Sequence, residues 1–120
     1  MKRDRLDLLN GLRQRRLDAC RLQLASVSQC EGVLESRLRE LARAARSTLE
    51  EQRQAVGAGG VDVGCVAECR RRRQKVQGAL GLLARRRALV DEVAGLARTN
   101  LEEAVRQVEV IEKLSERVSG

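Results

Sequence analysis

The chain contains no proline, no histidine and no aromatic residue among its 120 residues. Proline breaks helices and aromatic side chains anchor compact cores, so a chain without either can form long helices but is poorly equipped to build a globule. No apolar run approaches the ~18 residues needed to cross a bilayer. The basic start, residues 1–9, has no apolar segment of the kind found in secretory signals. These absences favour a cytoplasmic helical protein that is not an enzyme.

Charged residues make up 34% of the chain and hydrophobic residues 42%, the latter mostly Leu, Val and Ala. That mixture is typical of coiled coils and long helices. The net charge of +7 suits nucleic acid, an acidic lipid surface or an acidic protein. Part of the basic excess lies at the extreme N-terminus. Most of it forms an acid-free block of eight residues: Arg70, Arg71, Arg72, Arg73, Lys75, Arg85, Arg86 and Arg87.

Apolar residues repeat at alternating spacings of three and four along two tracks, the pattern of a heptad seam. Eight of the ten positions on the first track are apolar: Leu17, Cys20, Leu24, Val27, Glu31, Leu34, Leu38, Leu41, Ala45 and Thr48. Thirteen of the sixteen on the second track are apolar: Val66, Cys69, Arg73, Val76, Leu80, Leu83, Arg87, Val90, Ala94, Ala97, Leu101, Ala104, Val108, Ile111, Ser115 and Val118.

A glycine-rich break separates the two tracks, with Gly57, Gly59, Gly60 and Gly64 able to turn the chain. The sequence therefore predicts an all-α fold of two long helices forming an antiparallel coiled-coil hairpin. We expect a single unit over residues 1–120, with helices at about 4–55 and 65–118 and the turn at about 56–64. Asp62 is the predicted N-cap of the second helix, and Asp4 or Asp7 that of the first.

Pairing about this turn brings together residues whose numbers sum to roughly 121. Opposite charges then meet in three places: Glu50 and Glu51 with the arginines at 70–73, Glu35 with those at 85–87, and Arg13, Arg15 and Arg16 with Glu102, Glu103 and Glu109. Before Leu17 the pattern changes, since Leu6, Leu9 and Leu12 suggest a slipped register with Asn10 and Arg13 at the extrapolated seam positions.

The four cysteines lie at the wrong spacing for a metal site. Cys20 and Cys30 are ~15 Å apart along one helix, and the hairpin places Cys65 and Cys69 at its far end. We therefore predict no metal, no cofactor and no structural disulfide. Cys20 and Cys69 fall on the seam, where we expect them to act as small buried apolar side chains.

The run from Arg70 to Lys75 resembles a nucleic-acid or nuclear-import patch. Four successive helical residues point in four directions, however, and no aromatic side chain offers base stacking. A docking surface for an acidic protein is the favoured interpretation. The chain has no phosphate-binding loop and no nucleophile–base pair, so no catalytic residue is predicted.

With this architecture, the chain resembles the FliJ/YscO family, the coiled-coil stalk proteins of flagellar and type III secretion export ATPases. Two stretches carry the resemblance. One is the charged helix at 101–117, which ends Ile111-Glu112-Lys113-Leu114-Ser115-Glu116-Arg117. The other is the N-terminal repeat of Leu6, Leu9 and Leu12 followed by Arg13.

The resemblance implies a non-enzymatic central stalk that couples a hexameric export ATPase to the export gate in the membrane. The paired termini, roughly 1–20 and 101–120, would insert into the ATPase. The implied ATPase-binding residues are Arg13, Arg15, Arg16, Glu102, Arg106, Glu109, Glu112 and Lys113, and the implied gate-binding residues are Arg70, Arg71, Arg72 and Arg73. Secretion chaperones are further possible partners, and the stalk would lie at the inner face of the cytoplasmic membrane, contacting it only indirectly.

Two other interpretations remain open at this point. The first is a structural or adaptor coiled coil, such as a chaperone escort or a self-associating scaffold. A second apolar stripe could then pack in a four-helix bundle, formed by Leu22, Leu49, Leu82, Leu89 and Leu96. The second is a basic helical protein that binds nucleic acid, which the missing aromatic residues disfavour.

Overall fold

The computed structural model describes residues 2–57 and 59–119. They form two α-helices, α1 (Lys2–Ala55) and α2 (Val63–Ser119). The chain is all-α, with two long helices packed against each other as a hairpin, and the heptad tracks predicted this correctly.

Asp62 is the N-cap of α2, as predicted. Its carboxylate oxygen Oδ1 accepts a hydrogen bond from the backbone N–H of Cys65 at 3.0 Å, and its carbonyl accepts one from Val66 at 3.0 Å. The prediction for α1 was wrong. That helix already begins at Lys2, so Asp4 lies inside its first turn, where the carboxylate stabilises the positive end of the helix dipole without capping it.

The connection reverses the chain through backbone hydrogen bonds of its own. The N–H of Asp62 donates to the carbonyl of Ala55 at 3.0 Å, and the N–H of Gly60 donates to that of Gly57 at 3.2 Å. Gly60 has a φ of 117°, which residues with a Cβ rarely adopt, so this position favours glycine.

The helices divide into two compact units. The terminal unit comprises Met1–Cys30 and Val90–Gly120, and the turn unit comprises Glu31–Leu89. The core of the terminal unit is a cluster of small side chains: Leu17, Cys20, Ala104 and Val108, with Leu101 and Val105 packed against it. In the turn unit, Cys69, Leu83 and Thr48 are buried.

Thr48 is the buried polar residue of the turn unit. Its hydroxyl donates to the carbonyl of Ala44 one turn earlier, at 2.9 Å. The group is therefore satisfied inside its own helix, so the seam accommodates it without an unpaired donor.

The predicted seam is the buried surface of both helices. Every track position of α1 from Leu17 to Thr48 is buried or partly buried. Along α2, three track positions are exposed: Arg73, Arg87 and Val118. The two arginines behave as expected of long side chains, whose stems can cover the edge of a seam while the guanidinium stays in water.

The predicted slip of register before Leu17 is wrong. Leu9 and Leu12 are exposed, whereas Asn10 and Arg13 are partly buried, so the phase of the first track continues unbroken toward the N-terminus. An α-helix without an insertion keeps its phase, and here the phase places polar residues in the seam. One consequence is that Oδ1 of Asn10 is buried without a hydrogen-bond partner.

The predicted pairing of charges holds in part. In the turn unit, Arg72 Nη1 lies 2.8 Å from Glu51 Oε2, and in the terminal unit Arg16 Nη2 lies 4.0 Å from Glu103 Oε2. Glu35 instead pairs with Arg39 on its own helix, at 3.6 Å. These side chains are about half exposed or more, so each pair contributes little to stability, at most about 1 kcal/mol.

The neighbouring residues Ile111 and Val110 test the seam. Ile111 is 4% exposed and Val110 is 56% exposed. We expect Ile111→Ala to lower the free energy of unfolding by about 2–5 kcal/mol, because it removes buried surface and leaves a cavity. Val110→Ala, the matched control, should change it by less than about 0.5 kcal/mol. Denaturant unfolding followed by circular dichroism measures both, and equal effects would contradict the assigned seam.

Candidate functional site

A polar cluster links the helices in the terminal unit. Oε1 of Gln107 accepts hydrogen bonds from Arg13 Nη1 at 2.7 Å and from Arg16 Nη1 at 2.9 Å. Nε2 of Gln107 donates to Oε1 of Glu103 at 3.4 Å. Arg13 and Arg16, predicted as ATPase-binding residues, are therefore engaged in helix pairing as well.

Sequence reasoning did not single out Gln107 as a site residue. The sequence does contain a signal for Gln107. Its residue number and that of Arg13 sum to 120, close to the sum expected for residues that face each other across the hairpin. Matching only opposite charges leaves out glutamine, although its side-chain amide oxygen can accept hydrogen bonds from two guanidinium groups.

The remaining predicted ATPase-binding residues are exposed and do not converge on one spot. They are Arg15, Glu102, Arg106, Glu109, Glu112 and Lys113. Arg106 Nε donates to the carbonyl of Glu102 at 3.4 Å, within its own helix. No ion pair forms to any of the six within residues 2–57 and 59–119.

One flank of the terminal unit is apolar. Two shallow grooves run along it. Leu9, Val110 and Leu114 line one, together with the polar cluster of Arg13, Glu103 and Gln107, and Leu22, Val93 and Leu96 line the other. The four apolar α2 residues among these each lie one position before a seam residue, which places them on a single side of α2. The exposed leucines predicted off the seam, Leu22 and Leu96, belong to this surface, which we call the apolar flank.

The other flank of the terminal unit is acidic. Glu102, Glu109 and Glu116 repeat at intervals of seven, and Glu112 lies between them along the same side of α2. Heptad geometry places these positions across the seam from the apolar flank. The predicted ATPase-binding residues are therefore split: Arg13 and Arg16 approach the apolar flank, whereas Glu102, Glu109 and Glu112 lie on the acidic one.

The four arginines at 70–73 also separate into two kinds. Arg71 Nη2 lies 3.0 Å from Glu68 Oε2, and Arg72 contacts both Glu51 and Glu68. Arg70 and Arg73 are exposed and form no ion pair within the described residues. Only these two of the four keep their full charge available to a partner.

The cysteines have different environments. Cys20 and Cys69 are buried, as predicted, while Cys65 is partly buried and Cys30 is exposed. Burial raises the pKa of the Cys69 thiol, and the neighbouring Cys65 thiol adds to the effect. No group of three or more metal-ligating residues gathers within residues 2–57 and 59–119.

Neither helix in the described part of the chain has a segment that is both long enough and apolar enough to traverse a lipid bilayer. The paired helices, the aliphatic seam and the charged outer surface define a coiled-coil protein that acts through its surfaces.

The family model described as the flagellar FliJ protein matches residues 1–119. The chain belongs to the FliJ family. No curated protein and no solved structure matches it.

Membership of this family establishes the general role. The FliJ family is a non-enzymatic stalk component of the export ATPase in the flagellar export apparatus, and it acts in the cytoplasmic part of that apparatus. The chain is thus a structural component associated with the export ATPase, as the resemblance of its two terminal stretches implied.

The raised pKa of Cys69 makes stability depend on alkaline pH. A thiol whose pKa is higher in the folded state favours folding fully below the ordinary thiol value of 9.0, and this contribution is lost as the pH rises through the raised folded value. We expect the free energy of unfolding to fall more steeply above pH 9.0 in the native chain than in Cys69→Ala. Parallel pH dependences, measured by denaturant titration, would contradict this assignment.

Proposed function

We propose that the terminal unit is the part of the stalk that inserts into the hexameric export ATPase, and that the turn unit faces the export gate in the membrane. The observation that carries this proposal is the different chemistry of the two units. The terminal unit combines an apolar and an acidic flank, whereas the turn unit carries exposed, unpaired arginines. Surfaces of such different character suit different partners.

The ATPase contact would use residues of the terminal unit in two ways. Arg15, Lys113 and Arg106 are exposed cations that can meet acidic groups of the ATPase. Arg13 and Arg16 would contribute chiefly by fixing the two helices through Gln107. Glu102, Glu109 and Glu112 would face basic groups on the opposite side. Secretion chaperones are further proposed partners.

This assignment places the chain in the cytoplasm, at the inner face of the cytoplasmic membrane. It would contact the membrane only through the gate protein, to which we assign Arg70, Arg71, Arg72 and Arg73. The stronger contributions should come from Arg70 and Arg73, because their charges are not already offset by neighbouring carboxylates.

Reversal of one exposed charge tests the insertion. We expect Arg15→Glu to reduce stimulation of ATP hydrolysis by the purified export ATPase, with an increase of several-fold in the concentration giving half the effect. Arg15 is preferable to Arg13 or Arg16, since reversing those two would also break the contact with Gln107.

Arg43→Glu is the matched control. Arg43 is exposed, lies four heptads along the same helix from Arg15, and belongs to the turn unit. Both variants change the net charge equally. Stimulation weakened to the same extent by both would show a general charge effect and overturn the assignment of the terminal unit to the ATPase.

The exposed leucines Leu22, Leu49, Leu82, Leu89 and Leu96 favour self-association as a second candidate. A scaffold would bury them between copies. The molar mass measured by light scattering over a range of concentrations separates the two candidates: a constant monomer mass fits the stalk, and a rising mass fits the scaffold.

A further inference from the structure

Almost all the net charge of the chain belongs to the turn unit. Thirteen Lys and Arg face seven Asp and Glu there, whereas the terminal unit has eleven against ten. The imbalance is greatest on α2, where residues 69–90 contain no acid. α2 contributes nine charged side chains to the turn unit; eight of them lie in this segment, and all eight are cationic.

Five of the seven acids of the turn unit are engaged elsewhere and do not neutralise this charge. Glu35, Glu50, Glu51 and Glu68 are already in ion pairs with other arginines. Asp62 caps α2. Nine cations of the turn unit are left without an acidic partner within the described residues: Arg37, Arg43, Arg46, Arg70, Arg73, Lys75, Arg85, Arg86 and Arg87.

Three of these cations follow one side of α2. Arg73 and Arg87 are two heptads apart, at positions where the track predicts seam residues, yet both are exposed. Arg70 lies three residues before Arg73 and is its neighbour on the helix surface. We call Arg70, Arg73 and Arg87 the cationic strip.

The side chains beside the strip are uncharged and leave its surface accessible. Gln77, Gly81 and Ala84 are exposed along the same flank. A Cβ at Gly81 would meet no atom within 4 Å, so this part of the surface is open. The pairing register brings Glu35 of α1 closest to Arg87, and that carboxylate is bound to Arg39. A chain lying here would meet cations without a bulky obstacle.

We propose that the cationic strip docks an extended acidic segment of a partner protein. The strip is ~26 Å long, from 17 residues at 1.5 Å each, and an extended chain covers that length with about eight residues at ~3.3 Å each. This inference names the chemistry of the partner at the gate-facing surface, and it rests on the proposed function for the role of the turn unit.

The strip suits a peptide better than a membrane or a nucleic acid. Its charges are spaced along a narrow line, and the chain has no aromatic side chain to anchor it in a lipid interface or to stack on bases. Lys75, Arg85 and Arg86 occupy other heptad positions, so the cations do not form one plane that could lie flat on a bilayer.

The test compares two triple variants of the full chain that lose the same charge. One removes the strip, with Arg70→Gln, Arg73→Gln and Arg87→Gln. The other removes paired arginines of the same unit, with Arg39→Gln, Arg53→Gln and Arg71→Gln. All six side chains are exposed, and circular dichroism checks that both variants keep their helices. The probe is a fluorescently labelled peptide of eight glutamates, with Kd measured by anisotropy.

We expect the strip variant to bind the peptide about tenfold more weakly than the native chain, and the control variant within about twofold of it. Equal weakening of both variants would overturn the proposal, because it would mean that net charge alone attracts the peptide. Binding to phosphatidylglycerol vesicles without binding to the peptide would also overturn it, in favour of a lipid surface.

Failure of this inference is distinguishable from failure of the proposed function. The strip variant should stimulate the export ATPase as well as the native chain does, since its substitutions lie outside the terminal unit. A native chain that binds the peptide but has no effect on the ATPase would contradict the proposed insertion while leaving the strip intact. Loss of stimulation in the strip variant would contradict the separation of the two surfaces.

Discussion

The packing of small aliphatic side chains along one seam is the constraint on which the other features depend. Leu, Val, Ile, Ala and Cys fill the contact between α1 and α2, and no aromatic anchor is available in this chain. Because so little apolar surface is buried at each level, stability has to come from many successive layers. The helices must therefore keep one heptad phase over their whole length, and the phase is kept even where it places Asn10 and Arg13 in the seam.

The fixed heptad phase also determines which side chains lie on each outer surface. Val93, Leu96, Val110 and Leu114, each one position before a seam residue, supply the apolar part of one flank of the terminal unit, with Asn100, Glu103 and Gln107 between the two pairs. The glutamates spaced seven apart fall on the other side of the same seam. A single pair of helices can thus offer two chemically different binding surfaces, either to two partners or to two parts of one partner.

Ion pairs then determine which charges remain available. The arginines at 70–73 look equivalent in the sequence, yet Glu51 and Glu68 bind two of them and leave Arg70 and Arg73 unpaired. Arg13 and Arg16 likewise look like surface cations, but Gln107 holds both. In each case a nearby acceptor, on the same helix for Glu68 and on the other helix for Glu51 and Gln107, separates paired arginines from those that stay exposed and unpaired.

The sequence by itself determined the two helices, the turn between them, the N-cap at Asp62 and the seam from Leu17 onward, because heptad spacing, glycine and capping preferences act locally. It also carried the family resemblance in its terminal stretches. The tertiary structure decided the phase of the first turns, the division into two units, and which arginines are paired. Local spacing could not settle these, since Leu9 and Leu12 offered a competing stripe, and the contacts of Arg13 with Gln107 and of Arg72 with Glu51 join residues 94 and 21 positions apart.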